Sequence, residues 1–221
     1  MAGPECPAIV VFKDEKMSVS NLDRSLDNQW LLLSLLPRFA TRARERVQAN
    51  ADCLTDVLSM NPATLKALGL SAETMSAIHG WQTEDLSHPV LAELMRIRSQ
   101  CRQHGIRLIG QHHDHFPEAL RQIHDAPMLL YALGDTGLLL QDQIGVVGSR
   151  NATRTGLDHA RKFAAELGRR GLLVTSGLAL GIDGAAHAGA LDAGHPTVAV
   201  VGCGLDRLYP AQHRQLAPRI T

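Results

Sequence analysis

Aromatic residues are scarce in this sequence: four Phe, two Tyr and two Trp make up 4% of 221 residues. The core must therefore be built from Leu, Val, Ile and Ala, and a binding surface of stacked rings has few rings to draw on. Cysteine is sparse as well. Cys6, Cys53, Cys101 and Cys203 stand far apart with no CxxC pair, so neither a zinc site nor a disulfide framework is expected. No stretch approaches the roughly 20 apolar residues that span a bilayer. The N-terminus, MAGPECPAIVVFKDEKM, lacks the basic-then-apolar order of a signal peptide. A cytoplasmic location with no membrane partner is the expectation. Net charge is absent too, with 22 basic against 22 acidic residues. The 45% hydrophobic and 20% charged content excludes wholesale disorder and leaves room for one large domain, or a medium one with a small helical companion.

Charge is unevenly placed. Between Ile144 and Thr221 lie nine of the 22 basic but only five of the 22 acidic residues, a surplus of four positive charges. Such asymmetry hints at an anionic ligand near the basic end. The chain reads in three stretches. Residues 1–20 show no sustained period and are expected to be flexible. Over residues 21–83 apolar positions recur at helical spacing: the Trp30–Leu36 turn stopped by Pro37, then Val47, Leu54, Val57, Leu58, Leu65, Met75 and Ile78. This predicts a small all-α domain of the SAM or helix–hairpin–helix kind, although the glycine-rich hairpin of the latter is missing from Leu36–Ala40. A domain over residues 84–221 follows, opening on a helix from Pro89 to His104 and strands near Ile106–Ile109 and Met128–Leu133. His112, His113 and His115 cluster as QHHDHF, with no fourth ligand close in sequence, and read as a polar turn.

The last stretch alternates. Ile144–Val147, Leu172–Thr175 and Thr197–Val201 are short apolar runs of the type that buried parallel strands show, separated by helical patterns over Thr155–Arg170 and Asp183–Leu191. The fold class is therefore α/β, an extended Rossmann-like doubly wound parallel sheet. Small residues stand at every strand end: Gly148-Ser149-Arg150, then Ser176 to Asp183, then Gly202-Cys203-Gly204. Ligands of such sheets bind beyond the carboxyl ends of the strands, where helix N-termini present free N–H groups. Glycine admits a phosphate close to the backbone, and Ser149, Ser176 and the Arg150 guanidinium suit phosphate oxygens. Tight turns alone would explain the glycines. An arginine directly after a parallel strand is poorly placed for a core role, and it tips the reading to anion binding.

Asp183 and His187 lie four apart on one helix face. No Ser or Cys nucleophile is identifiable beside them, so they read as a structural hydrogen-bonded pair that fixes the turn rather than as an acid–base pair. There is no GxxxxGK[ST] run, and Gly202-Cys203-Gly204 follows the third strand rather than the first, which argues against a dinucleotide cofactor. No cofactor, metal or catalytic residue is expected.

The runs VVGSRNATRTG, TSGLALGIDGAAHAGAL and TVAVVGCGLDRLYP, preceded by FPEALRQIHDAPMLLYALGD, resemble the DprA (Smf) family of DNA-processing proteins over about residues 115–213. The resemblance implies single-stranded DNA binding, homodimerisation, and a role in natural transformation in which incoming DNA is shielded and the RecA recombinase loaded onto it. It implies that Gly148, Ser149, Arg150, Ser176, Gly177, Ala179 and Gly181 contact DNA phosphates, with Asp183 and His187 bracing the loop. The family continues past the point matching Thr221 with further strands, a basic loop and much of the dimer surface. The chain is accordingly expected to be truncated at its C-terminus, and dimerisation to belong to the full-length protein. Two other readings carry weight: a phosphoribohydrolase-like enzyme acting on a nucleoside monophosphate, which would usually show a PGGxGTxxE run absent here, and an interaction scaffold.

Overall fold

The most apolar run of the N-terminal half, Trp30 to Leu33, lies in helix α1 (Leu26–Leu35). Leu31, Leu32 and Leu33 are all fully buried, so the middle of this helix is enclosed while Leu26 and Ser34 near its ends stay exposed. The computed structural model describes residues 22–205 and 209–221, and the expectation of a flexible segment over residues 1–20 lies outside them. Around α1 stand α2 (Thr41–Gln48), a 3-10 turn (Leu54–Ser59), α3 (Pro62–Ala67), α4 (Ala72–Thr83) and α5 (Pro89–Gln103). Their starts follow from capping chemistry. Asn61 Oδ1 accepts the Thr64 amide, Ser71 Oγ accepts that of Thr74, and Pro62 and Pro89 occupy first helical positions where no N–H is needed.

Strand β1 (Arg107–Gly110), the short α6 (Glu118–Arg121) and β2 (Leu129–Ala132) come next. The strands pair antiparallel, with Leu108 opposite Tyr131. Leu108 and Leu129 join the same apolar core as the helices, so this first core runs from Leu22 to Leu129. The histidine-rich turn ties the ribbon to α1. His112 stacks on Trp30 with ring centroids 6.0 Å apart and places Nε2 3.4 Å from the Asp27 carboxylate, while His115 Nδ1 lies 2.7 Å from Thr136 Oγ1.

The second core belongs to a parallel sheet of β3 (Gln143–Gly145), β4 (Leu173–Ser176) and β5 (Thr197–Ala199), in the order β3-β4-β5. Helices α7 (Arg154–Arg169) and α8 (Ile182–Asp192) connect them, and a last turn, α9 (Ala217–Ile220), is tied back by the Arg219–Asp192 ion pair at 2.8 Å. Ala164 of α7, Ala186 and Ala190 of α8 and Val174 of β4 form one buried cluster, with both helices packed on β4 and on each other. The architecture is mixed α/β, an N-terminal helical region followed by a parallel sheet with alternating helices. Among the described residues no helix is long and apolar enough to cross a membrane.

Two strands are shorter than their apolar runs. Ladder pairing ends at Gly145 and Ala199, although the Val146 and Val200 amides still donate to the carbonyls of Thr175 and Ser176. Val147 and Val200, which the hydrophobic pattern extends into the strands, are exposed. Apolar character alone does not mark where the chain leaves the ladder for the strand-end turns.

The small residues of Gly184-Ala185-Ala186-His187-Ala188-Gly189-Ala190 let α8 lie close against α7, and all seven are buried. A Cβ on Gly189 would overlap the carbonyl oxygen of Arg161. Gly189→Ala is expected to push the two helices apart and destabilise the sheet domain by about 2 kcal/mol, read as a lower urea midpoint; an unchanged midpoint would show that the contact yields freely.

Candidate functional site

The carboxyl ends of β3 and β4 bring the first two predicted turns together. Ser149 supplies the contact: its carbonyl accepts the Ile182 amide at 3.2 Å, joining the turn after β3 to the start of α8. Two glycines permit this approach. At Gly148 a Cβ would lie 2.6 Å from Ile182 Cγ1, and at Gly181, where φ is +82°, it would overlap the Ser149 carbonyl oxygen. Only glycine satisfies both the left-handed backbone and the contact at position 181.

The second loop is held from within. Asp183 is buried, and its Oδ2 accepts the amides of Gly177 at 3.2 Å and Ala179 at 3.3 Å. Ser176 is buried too, and its hydroxyl donates to the Val146 carbonyl at 2.6 Å, stitching the ends of β3 and β4 together. The sequence offers Ser176 as a hydroxyl for phosphate; the structure turns it inward, because β4 is the central strand and its side chains alternate into packed faces. Leu178 takes a left-handed backbone with φ +57° and buries its side chain, which fixes the loop between the two amides that Asp183 holds.

His187 sits one turn further along α8 and is fully buried. Thr197 Oγ1 donates to the Val174 carbonyl at 2.6 Å, so its lone pair faces His187 Nδ1 at 2.8 Å, and the ring carries its proton on Nδ1. Nε2 is left as a buried acceptor with no partner among the described residues. Asp183 and His187 thus share a helix face without bonding to each other: one braces the loop, the other pins α8 to β5. His213 lies over the first turn of α8, where a Cβ on Gly184 would overlap its ring. Neither His213 nor Ile182 was visible to pattern reading, since one comes from after β5 and the other acts through its backbone amide.

What remains open at this edge is the first turn. Ser149 and Arg150 are exposed, and Arg150 has no hydrogen bond or ion pair among the described residues. Ser149 Oγ accepts the Asn151 amide at 3.1 Å, leaving its own proton free to donate. Thr153 caps α7 by accepting the Gly156 amide at 3.1 Å, and the amides of Ser149, Arg150, Arg154 and Thr155 have no acceptor among the described residues. The third turn, Gly202–Gly204, is exposed.

Burial pushes the pKa of His187 down to about 4, against the opposing pull of Asp183, with His213 lowering it further. The native ring therefore binds fewer protons than the unfolded one, and stability rises with pH across this range. Its contribution is complete above about pH 6.5 and is lost as pH falls toward 4, on the order of 3 kcal/mol in all. The urea midpoint of the wild type is expected to fall more steeply between these values than that of His187→Gln; parallel slopes would contradict the assignment.

The family model described as DNA recombination-mediator protein A matches residues 107–221. DNA processing protein DprA of Bacillus subtilis is 37% identical over 126 residues, which are 57% of this chain and 42% of that protein. The Streptococcus pneumoniae DprA is 43% identical over 103 residues, 47% of this chain and 36% of its own length. Protein Smf of Escherichia coli is 39% identical over 110 residues, 50% of this chain and 29% of its own. The matched part thus spans less than half of each of these relatives. The X-ray structure of DNA processing protein A from Streptococcus pneumoniae superposes with a TM-score of 0.60 and 26% identity, covering 86% of this chain and 62% of that one. The family match takes in more than half of the sequence, including every strand and loop that builds the site above, and on that ground the chain belongs to the DNA recombination-mediator protein A family.

Proposed function

We propose that the turn Gly148-Ser149-Arg150 is a phosphate cradle for single-stranded DNA, and that the protein is a recombination mediator that shields incoming DNA and loads RecA onto it during natural transformation. The observation that carries the reading is the contrast between the two loops. The second is braced by a buried carboxylate, with the Gly177 and Ala179 amides held by Asp183; the first is exposed and offers a guanidinium with no partner among the described residues. Gly181 and Ser176 shape the support, while Gly148, Ser149 and Arg150 face the ligand. Donors of this kind recognise phosphate oxygens without reading bases. With aromatics at 4% of the chain, backbone contacts rather than stacking dominate.

Binding, and not chemistry, suits the remaining residues. His187 is enclosed, with one ring nitrogen committed to Thr197 and its basicity lowered by burial, which unsuits it for taking a proton from a substrate at neutral pH. A homodimer is proposed for the full-length protein, on the family resemblance alone. The test is fluorescence anisotropy of labelled dT and dA oligomers with the 221-residue chain. Affinity is expected to fall as salt rises, and Arg150→Ala to weaken both oligomers about tenfold and equally. Unchanged affinity in Arg150→Ala would remove the cradle from the account, and release of free base from a nucleoside monophosphate would replace binding by catalysis.

A further inference from the structure

After β5 the chain returns along α8. A 3-10 turn (Ala211–Arg214) brings His213 to the start of that helix, and α9 reaches its end, where Arg219 pairs with Asp192 at 2.8 Å. Little holds this stretch down. None of residues 211–221 is fully buried, and the amides of His213, Leu216 and Arg219 donate within the stretch, to the carbonyls of Pro210, His213 and Leu216. Both partners of the Arg219–Asp192 pair are about half exposed, so water and salt leave that tie weak. His213 makes the contact at the other end. Its ring fills the space a Cβ on Gly184 would need, and its Nδ1 is buried with no hydrogen-bond partner among the described residues.

That place suits a neutral ring and not a charged one. His187, one turn along α8 from Gly184, is fully buried with Nε2 also unpartnered among the described residues, and His213 bears on it electrostatically. Asp183 is the carboxylate that acts on both rings, but its Oδ2 is committed to the Gly177 and Ala179 amides. The stretch itself supplies Arg214 and Arg219 and no acidic side chain. Burial accordingly lowers the pKa of His213 against the pull of Asp183. A proton on His213 places a charge in a partly dry site beside a second imidazole, and the ring relieves this by leaving for water. The undocked ring titrates near the ordinary 6.5, so docking is fully supported above that pH and weakens as pH falls through the lowered value.

We propose that residues 211–221 form a proton-sensitive strap, docked on α8 while His213 is neutral and released when its ring is charged. Release uncovers the first turn of α8, the turn that opens with the Ile182–Ser149 bond. The device therefore sits next to the strand-end edge without belonging to its two loops. A histidine is the fitting sensor, because its side chain ordinarily changes charge between about pH 5 and 8.

The experiment is NMR relaxation of the 221-residue chain from about pH 7.5 to about pH 5, beside the titration of the His213 ring, for wild type, His213→Phe and His213→Gln. In the wild type, amide order parameters over residues 212–216 are expected to fall from about 0.85 to below about 0.6 as the ring takes its proton, with those of β4 unchanged. At least one of the two neutral variants is expected to keep an ordered strap throughout. An ordered wild-type strap at the acid end, or loss of order with a midpoint apart from that of His213, overturns the proposal. So does simultaneous loss at β4, which is unfolding of the domain and not release of a strap. Loss of order on acidification in both variants, or a strap free at neutral pH in both, overturns it as well.

Discussion

The carboxylate of Asp183 organises the edge of the sheet on which everything else depends. Burying an ionised group is unfavourable unless hydrogen bonds replace its water, and here two backbone amides do so through one oxygen. In satisfying the carboxylate they fix the path of Gly177 to Ala179, including the left-handed Leu178. With that loop set, Gly181 and Ile182 meet Ser149, and the first turn is positioned by a neighbour that does not itself need to move. The proposed phosphate site separates support from contact. The second loop is tied to the first through the Ile182 amide, so the path of the Ser149 turn is set by its neighbour, and in the proposed function less ordering has to accompany binding.

The same economy of side chains runs through the domain. Few aromatics are present, so α7 and α8 pack through glycine and alanine, and the core they share with the sheet is small. The larger core lies in the N-terminal half, where α1 is enclosed by the other helices and by the β1–β2 ribbon. The strand-end edge is thus carried by a thin α/β layer whose stability depends on close backbone approach more than on buried bulk. Substitutions that add even one methyl group at the helix contact are costly for this reason.

Most of this architecture is legible in the sequence. The alternation of apolar runs with helical patterns marks the three parallel strands, and the Gly-Ser-Arg turn stands out because arginine has no business in a buried strand end. The runs that match a known family lie at those same turns. Side-chain direction is less legible. Ser149 and Ser176 look equivalent in the sequence, each beside a glycine at a strand end, yet one is exposed and the other points into the sheet. Period-two alternation would assign Ser176 to a face, but only the neighbour supplied by Val146 shows that its hydroxyl is consumed. Asp183 and His187 likewise share a helix face by spacing, and only the partners Gly177, Ala179 and Thr197 reveal two separate jobs. Long-range contacts such as Ile182 with Ser149 and His213 with Gly184 depend on the closed fold and leave no local pattern.

The central claim is that the open loop binds and the closed loop supports. Amide-resolved NMR titration of the 221-residue chain with a short dT oligomer tests it directly, because each loop reports through its own N–H groups. The account predicts large, saturable shifts at Ser149, Arg150, Arg154 and Thr155, with Gly177 and Ala179 nearly unmoved while their bonds to Asp183 persist. Shifts concentrated at Gly177 and Ala179, with the Ser149–Thr155 turn silent, would contradict it.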